Sequence, residues 1–324
     1  IEDFRDGGHK KYFLGSDIAR SFRSSGTTSA ERSTAIFSKR GLELYRAASL
    51  EAFFAALRRV TNRDPLELRG VSLIPQVSGW PDSSLAQMVS WISDVVPVTY
   101  IPEGAPIPRF DQPVWLFGTA FHHVLAIEGR QFEGPLPTGS IVIDTGGTKG
   151  RTRNLSREEL IMMCTDAYGA PVLSEYGMCE LASQAYDWGS GFHFPRWVSL
   201  AAVQGVNCVT AEGEGMLLVQ DAMRVDYPSG IRTEDLVRLD ANGSFELKGR
   251  AAAAPLRGCS LNVTEIPREI GFKSIENRQF IAVPSTDEIT DRAEKIEAKL
   301  LEFLGEAQTL ESLYEELGSR NAAQ

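Results

Sequence analysis

The chain is predicted to be an α/β protein, with a body on a mostly parallel sheet, then a smaller β-rich subdomain and a helical C-terminal tail. Three observations predict it. Up to about Val198, segments whose apolar residues recur at helical spacing alternate with short apolar runs of strand length. Past Val198 the runs are short and broken by glycine pairs and acidic turns, as in Glu212 to Gly215. From Thr286 to Leu317 the chain is charged, with Ile289, Ala293, Ile296, Leu300, Leu301 and Leu304 on one stripe. The corresponding divisions are 1–198 for the body, 199–270 for the subdomain and 271–324 for the tail.

In order along the body, Leu42, Leu44, Tyr45, Leu50, Phe53, Phe54 and Leu57 predict a helix from Gly41 to Val60. Leu68 to Pro75 then reads as a short buried strand, and Ser83 to Val95 as a helix. Strands follow at Val114 to Phe117 and Ile141 to Ile143, a helix opens at Ser156, and a further strand lies near Pro171 to Leu173. In the subdomain, Met216 to Val219 and Leu236 to Leu239 are strand-like. Asn242-Gly243, between Val237-Arg238-Leu239 and Phe245-Glu246-Leu247, predicts a hairpin with a type I′ turn.

With 324 residues, 43% of them hydrophobic, the chain can bury a sizeable core. A net charge of −10 argues against a nucleic-acid partner. Cys164, Cys179, Cys208 and Cys259 are widely spaced and follow no Cys/His ligand pattern, which argues against a disulfide scaffold or structural zinc. No apolar run approaches the roughly 20 residues of a membrane span, and Glu2, Asp3, Arg5 and Asp6 do not make a signal peptide, so a cytoplasmic location is expected. Opening on Ile1 rather than Met is what a fragment or trimmed chain shows.

Three segments carry candidate chemistry. Ser24-Ser25-Gly26-Thr27-Thr28-Ser29 sets small hydroxylated residues around a glycine, so its hydroxyls and N–H groups can wrap an anion; the alternative is a solvent loop. It lacks the Gly-Lys-Ser/Thr ending of a P-loop. In Ser174-Glu175-Tyr176-Gly177-Met178-Cys179-Glu180, which follows a predicted strand, Tyr176 can stack on a base and Glu180 can hold Mg²⁺; the alternative is a strand-to-helix turn with a core tyrosine. In Arg232-Thr233-Glu234-Asp235-Leu236 and Gly249-Arg250, an aspartate after a tight turn can accept from both ribose hydroxyls and an arginine beyond the hairpin can add a charged donor; the alternative is a surface pair.

In this order and spacing the segments resemble the core motifs of the adenylate-forming superfamily of acyl-CoA synthetases, peptide-synthetase adenylation domains and luciferases. Ser29, Cys179 and Glu234 depart from that pattern, and no glycine-lysine loop of the superfamily's mobile C-terminal domain follows Gly258. Two further elements are similar to the acyl-protein synthetases, the ligase component of bacterial luminescence fatty-acid reductases. They are Gly146-Gly147-Thr148-Lys149-Gly150 and Leu256-Arg257-Gly258-Cys259-Ser260-Leu261. The resemblance runs from about Phe22 to Ile266.

It implies the large-domain fold of that superfamily, with ATP and Mg²⁺ as cofactors and a fatty or other carboxylic acid as substrate. The acid would be activated as acyl-AMP and passed to a thiol. Ser24, Ser25, Gly26, Thr27, Thr28, Gly146, Gly147, Tyr176, Gly177, Asp235 and Arg250 would bind nucleotide, Lys149 and Glu180 would be catalytic with Glu180 on the metal, and Cys259 would accept the acyl group. Arg257 beside Cys259 would favour the thiolate; otherwise Cys259 is a small buried hydrophobe and Lys149 a surface lysine. An acyl-accepting reductase or carrier protein is the implied partner. An acyl-CoA ligase related to aryl-acetate-CoA ligases and a non-catalytic adenylate-fold subunit are the competing readings. His122 and His123 either line an acyl pocket or cap a helix and fill the core, and Cys164 belongs to the core.

Overall fold

The computed structural model describes residues 2–24, 32–61, 63–146, 155–205, 208–227 and 230–250. A short helix α1 (Glu2–Asp6) and a 3-10 turn (Gly8–Tyr12) lead into the antiparallel pair β1 (Arg20–Arg23) and β2 (Thr34–Phe37). Then come α2 (Lys39–Val60), β3 (Arg69–Ser72), α3 (Ser84–Ser93), β4 (Val98–Tyr100), β5 (Val114–Thr119), α4 (Ala120–Glu128), β6 (Ile141–Thr145), α5 (Arg157–Tyr168), β7 (Val172–Tyr176) and β8 (Ala185–Asp187). The strands β3 to β8 form one six-stranded sheet in the order β4-β3-β5-β6-β7-β8, parallel except for β8. The predicted α/β body with a mostly parallel sheet is therefore present.

Local chemistry explains where the helices start. Ser38 caps α2, Ser83 caps α3, and Ser156 with Glu159 closes a capping box on α5, which ends at Gly169 with φ 63°. Register then sorts the strand residues. Val71, Leu116, Val142 and Val172 stand side by side and face the cluster that holds Val124, Leu160 and Tyr168 of α4 and α5. Phe117, Ile143 and Leu173 form the adjacent row on the opposite face. There Phe53 of α2 packs against Trp115, Phe117 and Tyr186. Gly70 is required on this face, because a Cβ would stand 2.1 Å from the Trp115 ring.

From Val198 onward, β9 (Val198–Gln204), β10 (Cys208–Thr210), β11 (Gly213–Asp221), β12 (Ile231–Leu239) and β13 (Phe245–Arg250) form an antiparallel sheet in the order β10-β9-β11-β12-β13. The β12–β13 hairpin is as expected, but its turn is not type I′. Gly243 has φ 80° whereas Asn242 does not have a positive φ, and Gly243 N–H donates to Asp240 O at 2.9 Å. A type I turn followed by a left-handed glycine results, with the Asn242 side chain accepting from Ser244 N–H at 2.9 Å. All described residues lie in one compact unit, Ile1–Arg268. No helix among them is long and apolar enough to cross a membrane. The expected tail helices lie outside the described residues.

Candidate active site

A cavity of about 640 Å³ opens where β5, β6 and β7 end, lined there by Thr119, Thr145, Gly146, Glu175, Tyr176 and Gly177. The C-terminal edge of a parallel sheet is where open α/β folds leave such a crevice. Ser24 beyond β1, Cys179 and Glu180 after β7, and Asp235 and Arg250 on β12 and β13 complete the wall. Ser24, Gly146, Tyr176, Gly177, Glu180, Asp235 and Arg250, the expected site residues that are described, thus share one cavity although they are spread over the sequence. Ser25, Gly26, Thr27, Thr28, Gly147, Lys149 and Cys259 lie outside the described residues.

Hairpin pairing brings Asp235 and Arg250 together. They are directly opposed across β12 and β13, with Arg250 Nε 3.2 Å from Asp235 Oδ1. Asp235 does not follow a tight turn, as the sequence suggested, but lies within a nine-residue strand and is 6% exposed. That burial removes the surface-pair reading. Arg250 also contacts Glu234, which in turn receives Arg5 from α1. Tyr176 donates its hydroxyl to Asp235 Oδ2 at 2.8 Å, while its ring stands among Phe192, Phe194 and Phe245. At 4% exposure it is a core tyrosine and a cavity-lining one at once.

Glu180 is buried, with one oxygen accepting from Ser33 and the other from Cys179 Sγ at 3.2 Å. Its carbonyl accepts from Arg224 Nε at 3.0 Å. Arg224 is itself buried, donating also to Asp226 Oδ2 at 2.7 Å and Ile36 O at 2.7 Å, with its guanidinium over the Phe37 ring. It fastens the Glu180 turn to β2. The charge pattern Asp221, Arg224, Asp226 is visible in the sequence, but nothing local marks it as buried. Groups of three or more ligating side chains are absent among the described residues. One oriented carboxylate on the cavity wall nevertheless fits Mg²⁺, which takes one or two protein carboxylates and completes its shell with water and phosphate oxygens.

Glu175 went unassigned in the sequence. The register sets it beside Thr145 on one side and Tyr186 on the other, on the face of Phe117, Ile143 and Leu173 that α2 covers. Thr145 Oγ1 donates to its Oε2. Burial pushes this carboxyl up to about 7 against the lowering by Thr145, and the nearby Asp144 adds to the rise. Strand alternation from Leu173 was the available signal: the residue two further on must share its buried face. On the other face, Asp144 accepts from Ser174 Oγ at 2.7 Å, and burial raises it to about 6.

His122 lines the cavity and closes the capping box of α4 with Thr119. His123 is a core residue, its Nε2 3.0 Å from Ile143 O, and burial lowers it to about 4. Cys164 is fully buried, as expected, and burial raises its thiol.

No protein-family model matches the chain, and no curated protein matches it. Among solved structures it is similar to coronafacic acid ligase from Pectobacterium brasiliense, at 16% identity and a TM-score of 0.46 over 67% of this chain and 44% of that one. It is also similar to O-succinylbenzoate coenzyme A synthetase from Bacillus subtilis in complex with AMP, at 16% and 0.48 over 74% and 50%. A third is ATP-bound MatB from Rhodopseudomonas palustris, at 16% and 0.45 over 72% and 48%. The chain spans about half the length of these proteins. At such identities no chemistry carries from one chain to another, so the reading of the cavity rests on its own residues.

Proposed function

We propose that the chain is an adenylate-forming ligase of the acyl-protein synthetase kind, which joins a carboxylic acid to AMP in this cavity and then passes the acyl group to a thiol. The observation that carries the reading is the convergence of Ser24, Gly146, Tyr176, Gly177, Glu180, Asp235 and Arg250 on one cavity. The resemblance assigns six of them to a nucleotide and Glu180 to its metal, and they come from both sheets, the turn after β7 and the residue beyond β1.

In this reading Asp235 accepts from the ribose hydroxyls, held in place by Tyr176 and Arg250. The Ser24 to Thr28 loop and Gly146-Gly147 donate to phosphate oxygens, and Lys149 neutralises charge as the acid's carboxylate attacks the α-phosphorus and pyrophosphate departs. Bound Mg²⁺, held by Glu180, would neutralise phosphate charge. A thiol sulfur then attacks the acyl carbon and AMP leaves. Cys259 is the proposed acceptor in this chain, with an acyl-accepting reductase or carrier protein downstream.

The test is ATP–pyrophosphate exchange over a panel of carboxylic acids. Acid-dependent exchange supports adenylation, and its absence with every acid overturns it. Rapid consumption of the adenylate by coenzyme A, with no label on the protein, replaces protein acylation by acyl-CoA ligation.

A further inference from the structure

Neighbouring residues of a strand point to opposite faces, so β7 gives the cavity two unlike walls. Tyr176 belongs to the wall with Asp235 and Arg250, which the proposed function assigns to the nucleotide. Glu175 belongs to the other, on the sheet face that α2 covers, where its neighbours Thr145 and Tyr186 sit at the end of rows otherwise formed by Phe117, Ile143 and Leu173. Tyr45 of α2 and Gln184 line the cavity with it, both buried.

The Tyr186 hydroxyl on this wall is buried without a hydrogen-bond partner, so Thr145 is the donor that Glu175 receives. Glu175 is 7% exposed and takes one hydrogen bond, from Thr145 to Oε2. Among the described residues no cationic side chain forms an ion pair with it. Its Oε1 lies beside Gly177, where a Cβ would stand 2.4 Å from that oxygen and 3.3 Å from Gln184 Cγ. Gln184 Oε1 is buried without a hydrogen-bond partner. A buried carboxylate and a buried amide oxygen, each short of a donor, are costly unless something that enters the cavity supplies it.

We propose that the acid activated in this cavity carries an ammonium or similar cationic N–H group, and that Glu175, with Gln184, receives it. The inference rests on the adenylation reading and narrows its substrate class from fatty acids to amino-bearing acids. An aliphatic chain of equal size would leave both acceptors unpaired against apolar carbon. A site built to hydrogen-bond a substrate group rejects analogues that lack it far more strongly than a hydrophobic pocket rejects a missing methylene. The high proton affinity of the ligand-free Glu175 carboxyl accords with a group whose counter-charge comes from the ligand.

The experiment is ATP–pyrophosphate exchange by the unaltered protein with α-, β- and γ-amino acids, each paired with the acid in which a methyl replaces the ammonium. At least one amino acid should exceed its methyl partner by ten-fold or more in kcat/KM. Glu175→Gln should lower that ratio at least ten-fold through KM for the amino acid, with KM for ATP held. If plain aliphatic acids drive exchange as well as or better than their amino partners, the inference is overturned and adenylation stands. If Glu175→Gln leaves the ratio unchanged, Glu175 is not the recognising group. Should no acid drive exchange, both readings fall together.

Discussion

The hydroxyl of Tyr176 and the carboxylate of Asp235 meet at 2.8 Å, joining the last residue of β7 to the middle of β12. This bond ties the parallel sheet to the antiparallel one at the cavity wall. Arg250 on the neighbouring strand holds the other oxygen of Asp235. The pair couples packing to the proposed ribose site, so a change at either residue should register in both.

Tyr176→Phe keeps the ring among Phe192, Phe194 and Phe245 and removes only the donor. Unfolding free energy in urea should fall by about 1–3 kcal/mol, the range for a buried hydrogen bond to a charged group. The apparent KM for ATP should rise several-fold while that for the acid moves little. An unchanged KM for ATP would show that Asp235 does not need Tyr176 to hold nucleotide.

Arg224→Met strips the Glu180 carbonyl, Ile36 O and Asp226 of their common donor and leaves Asp226 buried and unpaired. Breaking a buried pair in this way costs about 3–5 kcal/mol. Replacing Asp226 by leucine in the same chain should recover part of the loss. Denaturation midpoints of the single and double variants decide it, and a fully additive double variant would refute the coupling.

Glu180→Gln retains shape and burial but makes a poor magnesium ligand. Circular dichroism should match the unaltered protein while pyrophosphate exchange drops by two orders of magnitude or more, on the order of 3 kcal/mol in transition-state stabilisation. Exchange at the original rate would remove Glu180 from the metal.

Stability should depend on pH through Glu175 and, on the other sheet face, Asp144. Glu175 rises from 4.5 to about 7 on folding, so the folded state binds its proton more tightly than the unfolded chain. The stabilisation is complete below about 4.5 and is lost as pH rises through about 7. Asp144, raised from 3.8 to about 6, acts in the same direction over a lower window. Thr145, Tyr45, Gln184, Tyr186 and Asp144 are polar groups around Glu175, and of these Thr145 lowers its proton affinity while Asp144 raises it. Burial of His123, lowered from 6.5 to about 4, works the other way below about pH 6.5, so urea midpoints should fall from about pH 6.5 to about pH 8, and Glu175→Gln should flatten the fall. A midpoint that rises over this range would contradict the burial of Glu175.

Cys259→Ser should separate the two half-reactions, since a hydroxyl preserves size but lacks the easily ionised nucleophile. With a labelled acid and ATP, the unaltered protein should acquire a hydroxylamine-sensitive label, and the variant should exchange pyrophosphate yet stay unlabelled. Labelling that survives Cys259→Ser and vanishes with Cys179→Ser would move the acceptor to the cavity wall, where Cys179 already touches Glu180.

The sequence by itself determined the identity of most elements and singled out Ser24, Gly146, Tyr176, Gly177, Glu180, Asp235 and Arg250, which line one cavity. Helical spacing from Leu44 to Leu57, the Ser156–Glu159 box on α5 and the strand-length runs are local, and short-range sterics and hydrogen bonds express them wherever the chain goes. Only the tertiary structure decided pairing and depth. The type I turn at Asp240 to Gly243 answers to the register of β12 on β13, so an Asn-Gly pair alone did not predict it. Asp235 became a buried partner of Tyr176 because two sheets meet there. Arg224 was an ordinary charged letter until neighbouring strands and loops removed its water, and for Glu175 the alternation from Leu173 marks the face but not the depth. Burial is a sum over partners distant in sequence, and no window of neighbouring residues contains it.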